Sequence, residues 1–119
     1  MPVGSLTSSV LKWPEKDMVL RCLQSWAAEI VHNRPEVVRI GYFGSYARNN
    51  WGVGSDLDLI IIVESSDQPF LRRSLAWDTT DLPVPVDLLV YTLAEWEEMD
   101  RRSRFGRMLD EGVIWVYER

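Results

Sequence analysis

A chain of 119 residues can build one hydrophobic core but is short for two ordinary domains, and 46% hydrophobic with 26% charged residues excludes a disordered or fibrous protein. With 13 basic and 18 acidic residues the net charge is −5, which argues against broad, sequence-independent binding to nucleic acid. No apolar run reaches the roughly 20 residues that span a bilayer, "MPVGSLTSSVLKW" lacks the layout of a leader, and the single cysteine, Cys22, allows no internal disulfide. The expectation is a cytoplasmic protein with one domain over residues 1–119, away from the membrane.

After Pro14, which suits a first helical turn, Val19, Leu20, Leu23, Trp26, Ala27, Ile30 and Val31 recur at helical spacing as far as Pro35. They predict an amphipathic helix over about 15–33, with Cys22 as a small apolar residue and His32 complementing the dipole near its end. "VVRIGYF", 37–43, is rich in β-branched and aromatic residues and stops at Gly44, so it reads as a strand. "SYARNN" follows as a short helix. "LDLIIIV", 57–63, is a second strand, apolar on both faces and therefore central in its sheet. "SSDQPFLRRSLAWDTTDLP" mixes turn residues with an apolar cluster and predicts only a helical turn about 70–77. Arg72 and Arg73 read there as solvated loop residues, with contact to a phosphate or an acceptor as the alternative. "PVDLLVYT", 85–92, is a third strand, "LAEWEEMDRRSRFGRMLDEG" one or two helices ending at Gly112, and "VIWVY", 113–117, a last strand. The expected fold class is α/β (α+β), a small mixed sheet of four strands flanked by helices.

Asp56 and Asp58 stand at the mouth of the second strand. Side chains at i and i+2 of a strand share a face, so the two carboxylates project together if the strand begins near Ser55. Burying two like charges costs several kcal/mol unless a cation neutralises them. A lone Asp-x-Asp is more often a turn cap beside a surface ion pair. Asp87, inside another apolar strand, changes that balance: if its strand lies beside the second, three carboxylates converge, the oxygen donor set that Mg²⁺ takes. Gly44-Ser45 ends a strand and opens a helix, where free backbone N–H groups suit a phosphate and glycine permits close approach. Together these features describe a site for a nucleoside triphosphate and its metals.

"GSYARNNWGVGSDLDL" followed by "VDLLVY" resembles the minimal nucleotidyltransferases (MNT type) of the polymerase-beta-like superfamily. Their pattern is Gly-Ser-x-Ala-Arg-Gly, five residues, Ser-Asp-x-Asp-Leu, then a distant Asp on a strand, and the spacing here matches without gaps. The resemblance implies the nucleotidyltransferase fold over about 37–117, with nucleotide held by Gly44, Ser45, Arg48 and Ser55. It implies catalysis and metal binding by Asp56, Asp58 and Asp87, with two Mg²⁺ ions as cofactor and ATP as substrate. Arg48 has an equally good reading as a structural ion pair holding the loop. Asn49 replaces the family's glycine, and asparagine is one of the few residues that tolerate positive φ. Trp51, between the two halves of the motif, either stacks on a base or packs.

The expected reaction is Mg²⁺-dependent transfer of AMP from ATP to a hydroxyl acceptor, with Asp87 taking the acceptor's proton. Minimal members of the family commonly pair with a small helical HEPN-type toxin protein, so the resemblance implies an antitoxin that adenylylates such a partner, a tyrosine being the acceptor. Arg101, Arg102, Arg104 and Arg107 beside Phe105 and Met108 suggest its docking surface, against the plainer reading of a solvated helix face. The alternatives are a noncatalytic antitoxin acting by contact, and transfer to a small molecule or RNA.

Overall fold

The computed structural model describes residues 14–49 and 54–119. In chain order the elements are α1 (Lys16–Asn33), β1 (Val37–Phe43), α2 (Ser45–Arg48), β2 (Leu57–Val63) and α3 (Phe70–Arg73). A 3-10 turn (Ser74–Ala76), β3 (Val86–Thr92), α4 (Leu93–Glu98), α5 (Arg104–Gly112) and β4 (Ile114–Glu118) complete them. The four strands form one mixed sheet in the order β3-β2-β1-β4, with β2 and β3 parallel and the other two pairs antiparallel. The fold is the small four-stranded α/β arrangement expected from the sequence, and β1 and β2 begin and end where the β-branched runs do.

Alternation along β2 builds two cores. Leu57, Leu59, Ile61 and Val63 pack on one face with Val19, Leu23, Trp26 and Ala27 of α1, while Ile60 and Ile62 pack on the other with Phe43, Trp96 of α4 and Leu109 of α5. Burying each such side chain contributes roughly 1.5–3 kcal/mol, so helices on both faces are the stable solution for a strand apolar all round. α4 starts at a capping box: the Thr92 hydroxyl accepts from the Glu95 backbone N–H at 3.1 Å, and the Glu95 carboxylate accepts from the Thr92 N–H at 2.9 Å. Cys22 packs against the first core, as expected of a small apolar helix residue. Among the described residues no helix is long and apolar enough to cross a membrane.

Two arginine readings need correction. Arg73 is not a solvated loop residue: it is buried, forms a two-pronged ion pair with Glu95 at 2.6 and 3.0 Å, and donates to the carbonyls of Gln68 and Val90. It ties the crossover between β2 and β3 to the end of β3. Arg72, its neighbour, is exposed as expected. Arg101 is not part of a free basic patch. Its guanidinium lies over the Trp96 ring at 4.3 Å and donates to the carbonyls of Trp96 and Met99 at 2.6 and 3.1 Å, closing the turn between α4 and α5.

Candidate active site

The site lies where β1 ends and β2 and β3 begin. Antiparallel pairing sets Phe43 opposite Asp58, and parallel pairing sets Asp58 opposite Asp87, so the chain turn after β1 and both carboxylates meet at one end of the sheet. Registered neighbours in a sheet share a face, and that face also carries Ile60 and Ile62. Helices α4 and α5 cover the isoleucines. Asp58 is half-buried at the margin of this cover, and Asp56 and Asp87 are exposed.

Gly44 joins β1 to α2 with φ 74° and ψ −146°, a conformation essentially reserved for glycine. Its second requirement is space: a Cβ there would fall on Asp58 Oδ2 and stand 3.1 Å from Asp58 Cγ. The backbone before Ser45 thus lies directly against the middle carboxylate. Ser45 opens the single turn of α2, which the Arg48 N–H closes by donating to the Gly44 carbonyl at 2.9 Å. Asn49 ends it at φ 65°, the left-handed conformation that glycine would otherwise supply, and its side-chain oxygen accepts from Lys16 Nζ of α1 at 2.7 Å. Ser55 is half-buried immediately before Asp56. Trp51 lies outside the described residues.

Burial first, then the charges of Asp87 and Asp56, push the Asp58 carboxyl above its ordinary value, while Arg48 opposes the shift. The Arg48 charge is thus near enough to act on Asp58. Among the described residues no three carboxylate, imidazole or thiol side chains are drawn together closely enough to hold an ion by themselves. The donor set still fits Mg²⁺: it is all carboxylate oxygen, its negative charges act on one another, and Mg²⁺ is commonly held by one or two carboxylates plus water and substrate phosphates. A glycine turn at a helix start beside this cluster is suited to carry a polyphosphate with its metal.

Of the residues singled out in the sequence, Gly44 lies against Asp58, Asp58 is registered with Asp87, and the charges of Asp56 and Arg48 reach Asp58, while Ser45 and Ser55 are their chain neighbours. Not foreseen was Lys16, whose link to Asn49 joins residues 33 apart in the chain and leaves no local signal. The proposed docking arginines lie elsewhere. Arg101 is spent on the turn around Trp96, Arg102 pairs with Asp100 at 3.6 Å, and Arg104 and Arg107 are exposed on α5 with Phe105.

A phosphate-suited turn set against a pair of registered aspartates at one end of a mixed sheet is the arrangement of a nucleotidyltransferase. Residues 25–110 match the family described as "Nucleotidyltransferase domain", and the chain belongs to that family of transferases. No curated protein is close enough in sequence to count as a match. Among solved structures, a protein from Sulfolobus solfataricus assigned as a nucleotidyltransferase superposes with a TM-score of 0.64 at 17% identity, over 87% of this chain and 84% of its own. A toxin-antitoxin structure with AMP-PNP superposes with a TM-score of 0.54 at 14% identity, over 81% of this chain and 73% of its own. These two establish the shared fold.

Proposed function

We propose that this chain transfers AMP from ATP to a hydroxyl of a partner protein, a toxin of the small helical HEPN type, and silences it. The observation that carries the reading is the register of Asp58 with Asp87 beside the Gly44-Ser45 turn. It puts anionic oxygens for a cation and a turn for a triphosphate within one short span. Family membership supports nucleotidyl transfer, and the structural neighbour with AMP-PNP is a toxin-antitoxin pair.

In this reading the backbone at Gly44 and Ser45, with Ser55 and Arg48, orients the triphosphate so that pyrophosphate is the leaving group. Asp56, Asp58 and Asp87 would hold two Mg²⁺ ions, which when bound stabilise charge on the attacking and leaving oxygens. Asp87, exposed at the start of β3, accepts the proton of the attacking hydroxyl. The two faces packed with helices keep Asp58 partly out of water, which strengthens every charge interaction around it.

Co-expression of a candidate toxin with wild type or with Asp58→Asn tests this. Protection by wild type alone, with the toxin's mass raised by whole AMP units, is the expected outcome. Equal protection by both proteins without any mass change would replace the enzyme with an antitoxin that works by contact.

A further inference from the structure

β3 is an edge strand, and its outer edge is closed along only half its length. The Pro85 carbonyl accepts from the Leu57 N–H of β2, so by strand alternation the backbone groups of Asp87 and Leu89 also face β2. Those of Val86, Leu88 and Val90 face outward. At the far end two outward groups are taken by side chains: Arg73 donates to the Val90 carbonyl and Glu95 accepts from the Thr92 N–H. At the near end, no described residue hydrogen-bonds the outward backbone groups of Val86 and Leu88. The open stretch flanks Asp87, an exposed carboxylate of the site.

We infer that this open edge receives the acceptor as an extended peptide segment, added to β3 as a fifth strand that sets a hydroxyl-bearing residue beside Asp87. The inference deepens the proposed function and rests on it. Strand addition supplies affinity through main-chain hydrogen bonds and leaves selection to alternate side chains. Because the backbone of Asp87 faces β2, the residue opposite it on an added antiparallel strand occupies a non-hydrogen-bonded pair, where side chains stand closest. Its hydroxyl oxygen attacks the α-phosphorus of ATP, and the bond from that phosphorus to the bridging oxygen breaks. Pyrophosphate leaves with the electron pair, and the hydroxyl proton passes to the Asp87 carboxylate.

Charge selects the occupant. A second copy of this chain pairing two-fold about the open stretch would set Asp87 against Asp87, a like-charge pair that strands disfavour. A segment with basic flanks instead meets Asp56, Asp58 and Asp87 with complementary charge.

The test uses an array of short synthetic peptides, each with one tyrosine, serine or threonine among lysines and β-branched residues, incubated with the protein, α-labelled ATP and Mg²⁺. Labelled peptides are then remade with single backbone N-methyl groups. Methylation of the residues on either side of the hydroxyl residue should lower labelling about tenfold, and methylation of that residue itself should not, since its N–H faces away from β3. Leu88→Pro removes an outward N–H without touching the ladder to β2, and should give the same loss with ATP affinity unchanged in calorimetry. Labelling indifferent to the position of N-methylation overturns the inference. So does the absence of any labelled peptide from a protein that binds ATP, or a dimer in solution that Leu88→Pro converts to monomer. Failure to bind ATP at all removes the nucleotide-site reading, and this inference with it.

Discussion

Gly44→Ala perturbs the junction on which the proposed chemistry depends. The backbone there has φ 74° and ψ −146°, so an alanine adds strain of about 1–3 kcal/mol, and its methyl would overlap Asp58 Oδ2. The overlap can be relieved only by moving the carboxylate or the turn, and a displacement of about 1 Å at a reacting centre costs roughly 100-fold in rate. Gly54→Ala is the control. Gly54 has φ 87°, but an added methyl there would meet nothing within 4 Å among the described residues, so the substitution carries comparable strain without the collision. Both variants should melt several degrees lower, at roughly 4–8 °C per kcal/mol for a domain of this size. Only Gly44→Ala should lose transfer of the α-label from ATP by about 100-fold. Near-normal transfer by Gly44→Ala, or an equal loss in Gly54→Ala, would refute the claim that the turn and Asp58 act as one unit.

Asp58→Asn should abolish transfer and raise the thermal midpoint measured in a chelator, because burial and the charges of Asp87 and Asp56 all disfavour its ionised form. Ser45→Leu should weaken ATP binding in calorimetry while the melting curve shifts little, since Ser45 is half-buried at the start of α2 and outside both cores. Glu95 sets a pH dependence: Arg73 first, with Thr92 also contributing, holds its carboxyl down from 4.5 to about 2. A depressed folded value means that the stabilisation is complete above about pH 4.5 and lost as pH falls through about 2. Because the Glu95 side chain is 42% exposed, solvent screening reduces that charge-dependent part to roughly 1–2 kcal/mol. The denaturant stability of Glu95→Gln should therefore fall below wild type at neutral pH and approach it in acid; a gap that stays constant down to pH about 2 would contradict the assignment.

The two central strands were legible because their β-branched runs have sharp ends: Gly44 stops β1, and the change to Glu64 and two serines follows β2. The convergence of Asp58 and Asp87 was legible on one condition, adjacency of their strands, which the parallel register supplies. Asn49 in place of glycine was legible too, since its φ of 65° is a value that asparagine tolerates. Arg73 was not. Its partner Glu95 is 22 residues away across a strand, and a run of polar residues around an arginine looks the same whether the guanidinium points outward or in. The capping box with Thr92 fixes the Glu95 carboxylate at the start of α4, where Arg73 reaches it from the crossover. Arg101 is hidden for a related reason: its use depends on a tight turn that folds it back over Trp96.

The central claim is that the chain moves a nucleoside monophosphate, and the label position in ATP tests it most directly. Purified protein, Mg²⁺ and a lysate of the source cells are incubated with ATP labelled at the α-phosphate or at the γ-phosphate, alongside Asp58→Asn. The account predicts that a protein of the lysate gains the α-label only, that pyrophosphate is released in equal amount, and that Asp58→Asn does neither. Incorporation of the γ-label, or equal labelling by wild type and Asp58→Asn, would contradict it.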